Sequence, residues 1–351
     1  MSLLEKIRKN STIKETSVLS KSVLLMDKEL ITTSIPALNI ALSGDISGGF
    51  SSGILSIGGI SKNFKTGISL VLAKSYMDKY SDSVLLFYDG EFGSPKSYFN
   101  SFGIDMDRVI HTPIMDIEEL KSDIVNQLNV LSRGDKLIII IDSIGNLASK
   151  TELNNAMDGK TTVDLTRNRS LKSLFRMVTP ILKVKDIPLI VITHTYSTLE
   201  LYSQEIVSMG RGGVYSSDLI FIITRRQEKE GTDLVGYNFV INVDKSRFVK
   251  EKSKIPISVT YEHGISKYSG LIEIAEEAGY VVKPVKGWYS KVNKDTGEIE
   301  EKKYRFKDTN TKEFWDSLLS NTGFQEWIRH RYQIGSGYIL ESEEDTTDDT
   351  M

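Results

Sequence analysis

A short polar segment between an apolar run and a helical one carries the residues best suited to contact phosphate. It reads Gly-Ile-Ser-Lys-Asn-Phe-Lys-Thr over residues 59–66, follows the largely apolar run 54–57 and precedes a helical segment that starts at Gly67. This nearly matches a phosphate-binding loop, which presents backbone N–H groups, a lysine and a helix N-terminus to phosphate oxygens. Lys65 would supply the charge, and the Thr66 hydroxyl would contact Mg²⁺.

The loop departs from the usual pattern at one position. Phe64 stands where such a loop normally has its second glycine. A bulky residue at a left-handed backbone dihedral is strained, so the loop either avoids that conformation or tolerates the strain. A polar strand-to-helix turn without a ligand is the alternative interpretation of these residues.

Three further apolar runs, each a predicted strand, end in polar residues that suit phosphate chemistry. Glu91 closely follows one run, Asp142 directly follows the next, and His194 follows the third. Ligands of open α/β sheets bind beyond the carboxyl ends of the strands. We therefore expect the three side chains to meet at the phosphate loop.

Charge suggests a role for each of these side chains around a magnesium-bound ATP. Asp142 would hold Mg²⁺ through water, and Glu91 would orient the attacking water. His194 would sense the terminal phosphate and link it to the loop that follows. Plainer interpretations remain open at this point: a solvated strand end for Asp142, a structural cap for Glu91 and an interior histidine for His194.

The composition is that of an ordinary globular protein. The chain has 351 residues, of which 40% are apolar and 26% charged, enough for one large domain or two smaller ones. It contains no cysteine, which excludes disulfides and thiolate metal sites. The first ten residues lack the apolar region of a signal peptide, and the apolar runs are too short to cross a bilayer. These features predict a soluble cytosolic protein.

Charge is unevenly distributed along the chain. The net charge is −3, but residues 341–351 contain six acidic residues and no basic one, so the rest of the chain is net positive. An acidic tail can simply keep a chain solvated, or it can screen a basic surface and compete with polyanions for it. Both interpretations remain open.

The order of apolar and helical runs between residues 31 and 270 predicts an α/β fold, with a mostly parallel sheet and helices on its faces. The helical spacing of apolar residues predicts helices over 68–80, 117–131 and 164–185, the last with a possible kink at Pro180. The predicted strands cover residues 54–57, 84–88, 137–141, 189–193, 219–224 and 239–243.

Smaller segments flank this core. Residues 1–30 predict short amphipathic helices in an arm that docks on its own body or on a neighbour. Residues 271–340 predict a small α+β unit with a helix at 271–278, an aromatic-flanked hairpin and a helical end, followed by the acidic tail. Two polar stretches, at about 149–163 and 196–213, exceed the usual length of a connection between a strand and a helix, which is typical of functional or disordered loops.

On these motifs the chain resembles the RecA/Rad51 recombinase superfamily, and within it the branch of bacteriophage T4-type recombinases. Members of that branch are similar in carrying phenylalanine before the loop lysine and histidine after the fourth strand, so Phe64 does not suggest an inactive site. The resemblance spans about residues 30–335 and rests on segments 35–44, 59–66, 87–93, 141–149, 192–196, 244–247 and 287–289.

The resemblance implies a RecA-type ATPase core that uses ATP and Mg²⁺. It implies a DNA recombinase that forms a helical filament on single-stranded DNA, finds homologous duplex and exchanges strands, in recombination, repair and replication. The arm at residues 1–30 would then mediate oligomerisation. Partners that bind single-stranded DNA or load the filament are implied, as is the cytoplasm of a bacterial host.

The resemblance also implies roles for individual residues of the nucleotide site. Tyr98 resembles an aromatic residue that stacks on adenine, while Lys245 and Arg247 resemble a basic pair that reaches a neighbour's ATP across the filament interface. With Glu91, Lys65 and His194, this pair completes the implied catalytic set. The implied nucleotide-contacting residues are Tyr98, Gly59, Ile60, Ser61, Lys62, Asn63, Phe64, Lys65, Thr66, Gly67, Asp142 and Ser143, with Thr66 and Asp142 as metal ligands.

The two long polar stretches resemble the family's DNA-binding loops. Basic and flexible residues in or beside them are the implied DNA contacts: Arg167, Arg169, Arg211, Gly212 and Gly213. A competing hypothesis is a mediator that binds nucleotide and a recombinase without hydrolysing ATP. Phe64 motivates that hypothesis, whereas the presence of both Glu91 and Asp142 opposes it.

Overall fold

A computed structural model describes residues 1–335, apart from residues 14, 25, 27, 160–165 and 198–204. The predicted tail at 341–351 and part of each predicted DNA loop therefore lie outside the described residues. The helices are α1 (Leu3–Asn10), α2 (Pro36–Ser43), α3 (Lys65–Lys79), α4 (Lys96–Ser101), α5 (Ile117–Val130), α6 (Lys150–Met157), α7 (Thr166–Lys185), α8 (Gly210–Ser216), α9 (Leu271–Glu277), α10 (Lys312–Leu319) and α11 (Thr322–Tyr332).

The strands are β1 (Gly53–Gly58), β2 (Val84–Asp89), β3 (Val109–Pro113), β4 (Leu137–Asp142), β5 (Pro188–Thr193), β6 (Thr195–Ser197), β7 (Glu205–Val207), β8 (Leu219–Glu230), β9 (Asp233–Lys245), β10 (Lys254–Thr260), β11 (Gly264–Ile265), β12 (Val281–Val285), β13 (Trp288–Lys291) and β14 (Tyr304–Arg305).

Nine of these strands form one sheet in the order β11-β10-β9-β8-β1-β5-β4-β2-β3. Neighbours from β8 through β3 run parallel, whereas β9, β10 and β11 extend the sheet in antiparallel fashion. The predicted α/β fold with a mostly parallel sheet is confirmed.

Strand β4 shows how the sheet is buried on both faces. Ile138 and Ile140 belong to one core cluster together with apolar residues of α2 and α3, and Ile139 and Ile141 belong to a second cluster with α5 and α7. Side chains alternate across a strand, so a continuous apolar run fills both clusters at once. Helix α7 continues through Pro180.

Several strands of the sheet differ from the prediction, which also did not include β10 and β11. Strand β3 was missed because it lies at the edge of the sheet, where exposed and half-buried side chains hide the periodicity. Strands β8 and β9 are much longer than predicted and form a ribbon that ends at Gly231. The outer half of the ribbon carries exposed charged residues, which a search for apolar runs does not register.

The described contacts between the N-terminal arm and the body lie in the second half of the arm, where the Val23 carbonyl accepts a hydrogen bond from Arg133 at 3.4 Å. Ile31 forms a β-bridge with Phe50, and Glu29 lies 2.8 Å from Lys79. Helix α1 begins with a capping box between Ser2 and Glu5 but contains no buried residue. Its apolar side chains are therefore available to another surface.

The C-terminal unit packs on the same core as α2 and the sheet. Trp315, Phe324 and Tyr332 are buried in that cluster. The predicted hairpin lies between β13 and β14, and β12 adds a third strand. No helix among the described residues has the length and apolar character needed to span a bilayer.

Candidate nucleotide-binding site

Strand register brings the predicted strand-end residues together. Asp89 at the end of β2 lies opposite Asp142 at the end of β4, and Gly58 of β1 lies opposite Thr193 of β5. The residues that follow these strands therefore share one edge of the sheet. A cavity of about 320 Å³ at this edge is lined by Ser61, Lys62, Asn63, Phe64, Lys65, Thr66, Asp89, Glu91, Gly93, Ser94, Pro95, Tyr98, Asp142 and His194.

Lys65 is buried at the bottom of the loop, with 7% of its surface exposed. Its Nζ donates hydrogen bonds to the carbonyls of Gly59 and Ile60, at 3.0 and 2.9 Å. Burial lowers the pKa of Lys65, while Glu91 and Asp142 act in the opposite direction. The ammonium group is thus positioned by the loop that it closes.

Thr66 and Asp142 form the metal-suited part of the cavity. The Thr66 Oγ1 hydroxyl donates to Asp142 Oδ2 at 2.6 Å. Burial raises the pKa of Asp142 to about 6, and the nearby carboxylates of Glu91 and Asp89 add to this effect. A buried carboxylate beside other acids is stabilised by a cation, and its oxygen with the hydroxyl oxygen suits Mg²⁺. The residues present therefore fit a magnesium-bound nucleotide.

Glu91 is held by three donors. Its Oε1 accepts from Ser143 Oγ at 2.5 Å and from Asn146 Nδ2 at 3.0 Å, and it lies 2.9 Å from His194 Nε2. The contact with His194 joins the ends of β2 and β5. Asn146 was missed because an asparagine after a strand gives no recognisable motif.

Asp89 supports the turn that carries Glu91. The residue is 5% exposed, and its Oδ1 accepts hydrogen bonds from the backbone N–H groups of Glu91 and Phe92 at 3.1 and 2.7 Å. Its other oxygen lies 3.1 Å from His111 Nε2. Phe92 has a left-handed φ of 55°, so these bonds stabilise a strained turn. The turn-forming aspartate was a detectable signal in the sequence, but His111 was not, because β3 was missed.

The loop tolerates the strain at Phe64. The residue has φ 58° and ψ 23°, the left-handed region that costs most side chains about 1–2 kcal/mol. Tyr98 also lines the cavity, and its ring lies 5.1 Å from that of Phe102. Burial raises the pKa of Tyr98 to about 12.

Lys245 and Arg247 lie away from this cavity. Lys245 Nζ donates to the carbonyls of Val214 and Tyr215 at 2.8 and 3.1 Å. Arg247 Nε lies 3.2 Å from Asp218. Arg247 lines a separate cavity beside Gly53 and Pro188, the first residues of β1 and β5. A single chain therefore places this basic pair at the end of the strands opposite to its own phosphate loop.

The residues predicted to contact DNA divide into two groups. Arg169 and Arg211 are exposed on α7 and α8. Arg167 instead donates to the carbonyls of the turn after β4, at 2.9 Å to both Leu147 and Gly145 and 3.2 Å to Ile144. Its guanidinium thus stabilises that turn.

The two glycines of this set have a packing function. A Cβ atom at Gly212 would lie 2.8 Å from Lys172 Cα, and one at Gly213 would lie 2.8 Å from the Phe175 ring. Both glycines allow α8 to approach α7 closely. Contact of any of these five residues with DNA remains a prediction.

The fold and cavity define a class of protein. A parallel sheet, a lysine-bearing phosphate loop between β1 and α3, and carboxylates after β2 and β4 are features of phosphate-loop nucleotide-binding proteins.

Comparisons with known proteins identify the family within this class. The profile of the RecA N-terminal domain matches residues 2–266, and that of the bacteriophage T4 recombination and repair protein C-terminal domain matches residues 268–328. The recombination and repair protein of Enterobacteria phage T4 is 48% identical over 350 residues, 98% of this chain and 90% of that protein.

More distant similarity extends to bacterial proteins. The RecA proteins of Streptomyces venezuelae and Aquifex aeolicus are each 28% identical, over 79% and 81% of this chain and 72% and 81% of their own lengths. The chain therefore belongs to the RecA family and is a RecA-type recombinase.

Proposed function

We propose that this recombinase is a DNA-dependent ATPase that assembles on single-stranded DNA and exchanges strands with a homologous duplex. The observation that carries the proposal is the meeting of Lys65, Thr66, Asp142 and Glu91 in one cavity. A buried lysine, a hydroxyl–carboxylate pair and an oriented second carboxylate are the groups that phosphoryl transfer to water requires.

Each of these residues would have a separate role. When bound, magnesium-ATP supplies the phosphoryl group that is transferred to water. Lys65 would neutralise phosphate oxygens, and Thr66 and Asp142 would hold the cation. Glu91, fixed by its three donors, would orient the water and accept its proton. His194 touches Glu91 and precedes β6, so it would link the cavity to the second predicted DNA loop.

A second copy of the chain would complete the site. Lys245 and Arg247 face away from their own cavity, so they would serve the nucleotide of a neighbour in a filament. The exposed Arg169 and Arg211 lie on helices that pack together and border the predicted DNA loops. Binding through such phosphate contacts should weaken steeply as salt rises.

ATP turnover by the purified chain, with and without single-stranded DNA, tests this function. We expect DNA to stimulate turnover and Glu91→Gln to abolish it while ATP still binds. Glu313→Gln, an exposed glutamate on α10, serves as the matched control and should leave turnover unchanged. Equal rates with and without DNA would contradict the proposal. Nucleotide binding without any turnover would favour the non-hydrolysing mediator.

A further inference from the structure

The phosphate loop is tied from the side to the β8–β9 ribbon. Arg225 Nη1 on β8 donates to the carbonyl of Lys62 at 3.0 Å. Asn63 Nδ2 donates to the carbonyl of Ile223, also on β8, at 2.5 Å. Two consecutive loop residues are thus held by a strand about 160 residues further along the chain.

The next residue makes the third tie through its ring. Phe64 stacks on Phe239 of β9, with ring centroids 5.3 Å apart and planes inclined by 23°. On another side, its ring lies 6.2 Å from Phe102. A residue held in the left-handed region persists only where its surroundings over-determine it. The aromatic contacts supply that constraint.

The ring also sets the residue type at the start of α3. A Cβ atom built on Gly67 would lie 2.5–2.7 Å from three carbons of the Phe64 ring. The φ of Gly67 is not in the left-handed region, so its backbone alone would accept another residue. The glycine is required because the phenylalanine folds over it.

We propose that Phe64 is a positioning residue of the nucleotide site and that Gly67 is its obligatory partner. The ring, held between Phe239 and Gly67, fixes the loop conformation that a glycine would otherwise adopt without strain. Nucleotide affinity then depends on packing against β9, which the usual glycine at this position would not require. The inference rests on the nucleotide binding proposed above.

A double-substitution cycle measures the coupling. Binding of magnesium and a non-hydrolysable ATP analogue is measured by calorimetry for wild type, Gly67→Ala, Phe64→Gly and the double variant. We expect Gly67→Ala to weaken binding about 10-fold or more when Phe64 is present and less than about two-fold when it is replaced by glycine. Urea unfolding of the same four proteins should show destabilisation by Gly67→Ala only in the presence of Phe64.

Phe239→Leu tests the stacking of Phe64 on Phe239 independently of Gly67. It should weaken analogue binding about five-fold, on the scale of a lost aromatic pair. Phe324→Leu is the matched control, because Phe324 is fully buried in the C-terminal unit. This substitution should lower the free energy of unfolding without changing the affinity for the analogue.

The outcomes separate the two proposals. A wild-type chain that fails to bind the analogue overturns the proposed function and the positioning role together. Wild-type binding with the same Gly67→Ala penalty in both backgrounds overturns the positioning role alone, as do equal affinities for the Phe239→Leu and Phe324→Leu proteins. Should Gly67→Ala fail to fold, recovery of folding and binding in the double variant supports the coupling, and its absence contradicts it.

Discussion

Two cations expected at the triphosphate are held in opposite ways. Lys65 is 7% exposed and hydrogen-bonded inside the cavity by its own loop. The Arg247 side chain is 67% exposed and paired with Asp218 at the other edge of the sheet. The first cation is positioned by the fold of one chain. The second lies outside its own cavity, so under the proposed function it would serve a phosphate group on another molecule. One half of the site would then be built by folding and the other half by assembly.

Replacement of Lys65 should produce the largest effect. Lys65→Ala removes the buried positive charge, so we expect ATP turnover to disappear and affinity to fall at least about 100-fold. The measurements are calorimetry of the isolated chain and an ATPase assay. Lys312→Ala, at an exposed position on α10, is the control. Filaments of Lys65→Ala that still form in response to ATP would contradict the phosphate-loop assignment.

Replacement of Arg247 should leave the first half of the site intact. Arg247→Ala is expected to lower DNA-stimulated turnover about 10³-fold, as loss of an arginine supplied in trans does. Affinity of the isolated chain for ATP should change less than about two-fold, because Arg247 lies outside its own cavity.

Mixing the two variants sharpens this comparison. At some interfaces an Arg247→Ala chain supplies an intact cavity, and a neighbouring Lys65→Ala chain supplies an intact Arg247. Such a site is complete, so a mixture of the two variants should regain part of the turnover. A mixture as inactive as its components, or an Arg247→Ala protein with full turnover, would show that the two cations do not serve one site.

The Asp142 carboxyl should make the ligand-free cavity sensitive to pH. Burial is the main cause that raises the pKa of this carboxyl to about 6, above its ordinary value. The folded state therefore binds the proton more tightly than the unfolded chain does. The stabilisation of the folded state by this protonation is complete below about pH 4 and is lost as pH rises through about 6.

Asp142→Asn should remove that dependence. Without nucleotide or Mg²⁺, we expect the variant to be about 1–3 kcal/mol more stable than wild type at pH 8, with little gain at pH 4. Urea unfolding at both pH values measures this, with Asp107→Asn, at an exposed position, as control. A wild-type protein whose stability relative to Asp142→Asn is independent of pH would refute the assigned burial cost.

Asp89 should have the smallest effect on activity, because it acts through the turn that holds Glu91. Asp89→Ala is expected to lower turnover about 10-fold while ATP affinity stays within about two-fold. Asp89→Asn keeps an oxygen for the two backbone N–H groups and should recover most of the rate. A parallel loss of affinity, or failure of asparagine to restore the rate, would mean that Asp89 has another role.

The sequence predicted the parts of the site that local pattern defines. Buried parallel strands are continuous apolar runs, so the end of each run identified Glu91, Asp142 and His194 as neighbours. The same reasoning missed Asn146 and His111, because one follows no motif and the other lies on an edge strand with weak periodicity. It also could not show that Arg167 is engaged by backbone carbonyls, since those contacts depend on how the turn after β4 folds back.

By itself, the sequence determined the fold class and the family motifs, because apolar spacing and motif residues are local properties of the chain. Only the tertiary structure decided how Phe64 is tolerated and where Arg247 points. The conformation of Phe64 depends on its contact with Phe239, which is remote in sequence. The position of Arg247 depends on the end of the sheet at which β9 terminates. Both follow from long-range packing, which no periodicity along the chain encodes.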